Sequence, residues 1–208
     1  MMPDAPLPSF CAEPSVMGMP RAAERWTADR VRSLPDDGNR YELVSGQLVV
    51  TPSPRLRHQA AISELEAVLR AAIRSGPREG SDGLHLLHAP ADISLGEDEV
   101  LQPDLFVFRR PAGMPPREWS DVTDLVLVIE VLSPATERHD RTLKRRRYQR
   151  AGVPEYWIVD IDARVIERWR PGDERAEVLA GEIVWQPSAD RAAVVIDLVG
   201  LFREVGGS

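Results

Sequence analysis

Two carboxylates interrupt apolar runs in this chain, and a lysine follows them at helical spacing. Asp104 comes directly after Pro103 and before Leu105-Phe106-Val107-Phe108, and Glu130 stands inside Leu125-Val126-Leu127-Val128-Ile129-Glu130-Val131-Leu132. Continuous apolar runs of this kind read as strands buried on both faces. A carboxylate inside one is costly unless a metal ion or a cation compensates it. If the two strands lie side by side, both carboxylates project from one end of a sheet. Two hard oxygen donors so placed suit Mg²⁺ or Mn²⁺, with water and substrate phosphate filling the other positions. Such an ion acidifies bound water and offsets charge on a phosphoryl oxygen. Lys144 lies four residues after Asp140 and four before Tyr148, so all three share one face of the helix that follows Glu130. An ammonium there would orient an attacking water and stabilise an anionic transition state. Asp140 would orient Lys144, and Tyr148 would pack in the core with its hydroxyl near the site. His58, at the start of a long helix, is a further candidate for contacting phosphate, because helix N-termini attract anions.

The elements that must position these groups can be read from turn residues and hydrophobic period. Thr27 is placed to cap a short helix over residues 28–34, ended by Pro35. Alternating runs at 40–44 and 47–51 flank Ser45-Gly46, a two-residue hairpin signal. Ile62, Leu65, Leu69, Ala72 and Ile73 recur at helical spacing within 57–75, and Gly76-Pro77 stops that helix. Short strands are expected at 84–87 and 91–95, then a strand over 100–108 and a Pro-rich loop over 109–119. The strand carrying Glu130, the basic helix from Arg141 to about Gly152, and a strand over 153–160 follow in sequence. An alternating strand covers 164–170, with weaker strands at 178–179, 183–185 and 194–196 and a short helix near Phe202. This order predicts an α/β fold, with a mixed central β-sheet flanked by helices. Residues 1–22 hold five prolines and no period, and are expected to be a disordered tail ahead of one domain over 23–205.

Composition narrows the function classes. The chain has 208 residues, 43% of them apolar, enough for one sizeable core. No apolar run reaches the roughly 20 residues needed to span a bilayer, and no secretory signal pattern opens the chain. A lone cysteine, Cys11, excludes an intrachain disulfide and a Cys-rich zinc site, which favours the cytoplasm. A net charge of −7 repels polyanions at long range, so any DNA or RNA contact must use a local basic patch or bridging metal ions. The basic run over 138–150 is such a patch, able to hold phosphates beside the site. His85, His88 and His139 share no metal-ligand spacing, Ser133 has no Ser-His-Asp context, and no Gly-rich phosphate loop is present.

Taken in order, Tyr41-Glu42-Leu43 with Gly46, Pro103-Asp104, Glu130-Val131-Leu132-Ser133-Pro134, Asp140…Lys144…Tyr148 and Gly152-Val153-Pro154-Glu155-Tyr156-Trp157 resemble the Uma-type restriction endonuclease family of the PD-(D/E)XK nuclease superfamily. The resemblance covers roughly residues 26–169. It implies a restriction-endonuclease-like core with a divalent-metal site, Asp104 and Glu130 taking the places of the superfamily's two acidic residues. The lysine that the superfamily places two residues after the second acid is Leu132 here. In the Uma-type pattern it moves to the next helix, where Lys144 matches. The resemblance further implies that Glu42 completes the metal shell and that Leu132 offers its backbone carbonyl to the ion.

The expectation is therefore a Mg²⁺- or Mn²⁺-dependent endonuclease hydrolysing phosphodiester bonds in DNA, with RNA as the other polymer to test. A homodimer is expected, because cutting both strands often requires two active sites. Two other classes stay open. One is a catalytically inactive nuclease-fold module that binds nucleic acid or protein, and the other is a metal-dependent hydrolase of a small phosphorylated substrate.

Overall fold

The computed structural model describes residues 25–75, 83–96, 98–111 and 114–206. The tail expected over 1–22 and the Gly76-Pro77 helix stop lie outside the described residues. Thr27 caps helix α1 (Ala28–Arg32) with its side chain, as its residue type dictates. Strands β1 (Arg40–Val44) and β2 (Gln47–Thr51) then pair antiparallel across Ser45-Gly46. Both turn residues adopt positive φ, 51° and 79°, the left-handed geometry that lets a two-residue hairpin follow the strand twist and that glycine adopts freely. Helix α2 (Leu56–Arg74) buries Ala61, Ile62, Leu65, Leu69 and Ile73, the stripe its period announces.

A six-stranded sheet forms the centre, in the order β3 (Leu84–His88), β4 (Leu105–Arg109), β5 (Asp124–Val131), β6 (Glu155–Asp160), β7 (Val165–Trp169) and β8 (Glu177–Leu179). Only β5 and β6 run parallel, and the helical segment between them supplies the crossover. That segment comprises α3 (Glu137–His139), a π-helical turn over Asp140–Lys144, and α4 (Arg145–Arg150). A separate antiparallel pair, β9 (Glu182–Trp185) and β10 (Val194–Asp197), leads into α5 (Leu198–Gly206).

Side chains alternate across the sheet, so each strand feeds two cores. Leu105, Val107, Leu127, Ile129, Trp157 and Val159 join α2 and α5 in one. Phe106, Phe108, Val128, Tyr156 and Ile158 join Tyr148 and the hairpin residues Val44 and Val49 in the other. Glu130 shares the parity of Val128, which places it on the α4 side.

Three expected elements take a different form. The strand expected over 100–108 is broken. Val100 and Leu101 make only single bridges, to Leu43 and Ile93, and the ladder resumes at Leu105. Pro103 has no N–H to donate and a fixed φ, so it interrupts pairing there. The strand expected over 91–95 is reduced to the Ile93 bridge. The basic helix begins earlier than expected and contains the π-turn, where Arg145 N–H bonds to Asp140 O, five residues back. The Tyr156 hydroxyl donates to the same carbonyl at 3.1 Å, helping hold the widened turn.

Candidate functional site

The break at Pro103 is what assembles the site. With no ladder to join, residues 102–104 direct their polar groups to the hairpin. Gln102 N–H donates to Glu42 Oε1 at 2.8 Å, and Gln102 O accepts from Arg40 Nη1 at 3.0 Å. Leu43 and Val100 exchange backbone hydrogen bonds of 2.8 and 3.0 Å, pinning β1 to the segment that leads into Asp104. Arg40 and Glu42 lie two apart on β1, hence on one face, and both project towards the ends of β4 and β5.

Lys144 Nζ lies 2.8 Å from Glu42 Oε2, 3.0 Å from Glu130 Oε1 and 3.5 Å from Asp140 Oδ1. These four side chains are at most 1% exposed. The ammonium donates a hydrogen bond to Glu130, while Glu42 Oε2 and the Asp140 oxygens stand close to it without a hydrogen-bond partner among the described residues. Burial alone would lower the Lys144 pKa, but Glu130, Glu42 and Asp140 outweigh it and hold the ammonium well above its usual range. Burial pushes the Glu130 carboxyl well up, against the pull of Lys144 and with added repulsion from Asp140. The Asp140 carboxyl is likewise raised, chiefly by burial, with Lys144 opposing. Asp140 ends α3 and opens the π-turn. Tyr148 packs its ring against Tyr156 at 5.0 Å, and its buried hydroxyl has no hydrogen-bond partner among the described residues.

Asp104 belongs to a neighbouring set. Its Oδ1 accepts from Arg40 Nη1 at 2.8 Å, and its Oδ2 accepts from Val131 N–H at 2.8 Å and from His58 Nε2 at 3.1 Å. Burial raises the Asp104 carboxyl, but the His58 bond and the Arg40 charge outweigh burial and hold it well below the carboxylate range. His58 is thus no exposed helix-terminal side chain. It is 6% exposed and turned onto Asp104, because the N-terminal turn of α2 sits against the sheet end where Asp104 emerges.

A cleft of about 620 Å³ opens over this second set, with Arg40, His58 and Asp104 among its walls. Lys144, Glu42 and Glu130 do not line it. A second cleft of about 630 Å³, which Leu132 lines, shares Arg55, His58, Ser133 and Pro134 with the first. Leu132 follows the end of β5, its N–H bonded to Val159 O at 2.9 Å.

The expected phosphate-holding patch over 138–150 is in part consumed internally, with Arg138, Arg146 and Arg150 left exposed. Arg141 pairs with Glu137, Asp160 and Glu167, and Arg147 with Glu99 and the Leu95 carbonyl. Arg145 stacks over Trp169 at 4.4 Å and bonds Gln149. Apart from Glu137, the acidic partners sit on distant segments, so residue order conceals most of the pairing.

The donor set suits a hard divalent cation. Four buried carboxyl groups (Glu42, Asp104, Glu130 and Asp140) share two fixed cations, Lys144 and Arg40, with the His58 ring beside Asp104, so carboxyl groups outnumber the cations. The raised carboxyls of Glu130 and Asp140 come chiefly from burial, with repulsion from the neighbouring carboxylates adding to it. Among the described residues, no three His, Cys, Asp or Glu side chains form a ready metal cage, since Lys144 stands between Glu42, Glu130 and Asp140. Arg40 escaped notice in the sequence. The signal was its place two residues before Glu42 on an alternating strand.

Among solved structures, the chain is similar to a protein from Anabaena variabilis ATCC 29413 described as "a putative nuclease belonging to DUF820". The identity is 21%, the match covers 86% of this chain and 98% of that one, and the TM-score is 0.69. That likeness supports the restriction-endonuclease-like fold: a mixed six-stranded sheet flanked by helices. No curated protein gives a match. No helix among the described residues is long and apolar enough to cross a membrane. The model of the Uma2 family, described as "Putative restriction endonuclease", matches residues 28–198, which is most of the chain and spans both carboxylate sets, and the chain belongs to that family.

Proposed function

We propose that the protein is a divalent-metal-dependent nuclease that hydrolyses phosphodiester bonds, with DNA as its substrate. The observation that carries this reading is the surplus of buried carboxylate charge at the joined ends of β4 and β5, directly behind an open cleft. Asp104 and Glu130 would hold Mg²⁺ or Mn²⁺, with Glu42 and the Leu132 carbonyl as further donors. When bound, the ion supplies an acidified water and charge neutralisation at the phosphoryl group.

The chain's own residues do the rest. Lys144 is placed to hold Glu42 and Glu130 in position from 2.8 and 3.0 Å, and Asp140 lies 3.5 Å from the ammonium. Because Lys144 is fully buried and has three carboxylates within 3.5 Å, its role is to position carboxylates. The water-orienting role expected from its spacing would need it to leave them. His58 and Val131 N–H fix the orientation of Asp104 at the cleft floor. A homodimer would present two such sites to a duplex.

Purified protein is incubated with plasmid, single-stranded DNA and RNA, in Mg²⁺, Mn²⁺ or EDTA. The expected result is metal-dependent cleavage of DNA that is lost in Asp104→Ala and Lys144→Ala. Cleavage that survives Asp104→Ala removes the assigned site. Binding without cleavage, unchanged by either substitution, makes the protein a binding module instead. Thermal unfolding supplies a reading apart from activity: Mg²⁺ should raise the Tm of the wild type and leave Glu130→Gln nearly unmoved.

A further inference from the structure

Resting on the nuclease reading, we propose that Arg40 is the side chain that contacts the substrate's phosphate, a role that Lys144 is too deeply engaged to fill. Two cations attend the carboxylates, and only one borders the cleft. Lys144 is fully buried and holds three carboxylates. The Arg40 side chain is 17% exposed and lines the 620 Å³ cleft beside Asp104 and His58. Its Nη1 makes both of its contacts, to Asp104 Oδ1 and to the Gln102 carbonyl. Nε and Nη2 make no hydrogen bond among the described residues, yet they are not among the buried orphan atoms. One edge of the fork is therefore tied down and the other is accessible.

A guanidinium presents five N–H donors in a rigid plane matched to phosphate oxygens. Anchoring one edge fixes the direction of the other, so little freedom is lost when a phosphate arrives. The charge persists throughout, because Asp104, Glu130 and Glu42 raise an already high pKa against the lowering effect of burial. Arg40 would meet a non-bridging oxygen, and its N–H groups would hold the charge that develops there. The same contact eases a difficulty posed by the acidic chain: Arg40, and the exposed Arg55 at the same cleft, give a polyanion cations to meet beside the carboxylates.

Two measurements test this with full-length protein. The first is binding of a short fluorescein-labelled single-stranded oligodeoxynucleotide in EDTA, followed by anisotropy across a salt series. Arg40→Met should weaken binding at least tenfold and reduce the salt slope by about 0.7, the value for one phosphate contact on a single strand. The second is cleavage in Mg²⁺, where Arg40→Met should lower kcat by about 10²–10³-fold, the usual cost of losing one donor to a developing oxyanion. Should Arg40→Met fail to fold, Arg40→Lys keeps a charge beside Asp104 but has no second edge, and at least a tenfold loss of kcat is expected with the Tm retained. Unchanged oligonucleotide affinity and salt slope in folded Arg40 variants would overturn the inference and leave Arg40 as a brace for Asp104. Arg40-dependent binding without any cleavage by the wild type would uphold the phosphate contact and sink the nuclease reading. Wild-type cleavage that persists in the Arg40 variants would do the reverse.

Discussion

Lys144 and Arg141 stand three residues apart on one helical segment, and each faces three carboxylates. Lys144 meets Glu42, Glu130 and Asp140, whereas Arg141 meets Glu137, Asp160 and Glu167. The two sets differ in solvent access: the Lys144 side chain is 0% exposed and that of Arg141 is 30% exposed. Around Arg141, water screens each charge and takes over when a partner is lost, so such ion pairs are worth little. Around Lys144 no water replaces a lost partner, and removing one member leaves uncompensated charge in a low dielectric. The outer set is a staple between the helix and β6–β7. The inner set is a poised excess of negative charge, costly to the fold and suited to binding a cation.

The sharpest way to break this comparison is to remove each cation. Lys144→Ala should destabilise the protein by about 3–5 kcal/mol in urea unfolding, the usual cost of stranding buried partners. A loss below about 1 kcal/mol would mean that the inner set is solvated, and the contrast would collapse. Adding Glu130→Gln to that variant should recover part of the loss, because one of the stranded charges disappears.

The next effect is on the pH profile, measured without metal. Glu130 and Asp140 have folded pKa values above their ordinary 4.5 and 3.8. Their stabilising contribution is therefore fully present below those values and is lost as pH rises through the folded ones. Asp104 has the opposite sign: its contribution is present above 3.8 and is lost as pH falls towards its depressed folded value. Glu130→Gln should flatten the decline in Tm as pH rises above 4.5, and Asp104→Asn should flatten the acid limb. A Glu130→Gln profile that overlays the wild type would show that Glu130 does not hold the excess charge.

Arg141→Ala should cost only about 1 kcal/mol, shrink further in high salt and leave cleavage unchanged. Loss of cleavage with the fold intact would move the outer set into the site. The smallest effect belongs to the exposed Arg57–Asp162 pair, 3.0 Å apart. Asp162→Asn should shift stability by less than about 0.5 kcal/mol in either direction.

Much of the fold is legible in residue order, because local rules decide it. The Ser45-Gly46 turn, the Thr27 cap and the α2 stripe each depend on neighbours within a few positions. The Pro103 break is equally local, but its consequence is remote, and that is where reading along the chain fails. Nothing near Gln102 announces that its N–H will meet Glu42, sixty positions earlier. The basic helix shows the same limit. Arg141 and Arg147 read as part of a phosphate patch until Glu99, Asp160 and Glu167 arrive from other elements to pair with them.

By itself the sequence determined that Glu130 interrupts a buried strand and Asp104 directly precedes one, and that Asp140, Lys144 and Tyr148 share one side of the helix behind them. Those statements follow from the period of two and the i, i+4 spacing, which need no tertiary partner. Only the tertiary structure decided which carboxylate each cation serves. Lys144 went to Glu42, Glu130 and Asp140, His58 turned inward onto Asp104, and Arg40 took the cleft edge. Charge pairing in a protein interior is set by distance and by exclusion of water, and both are properties of the packed sheet end.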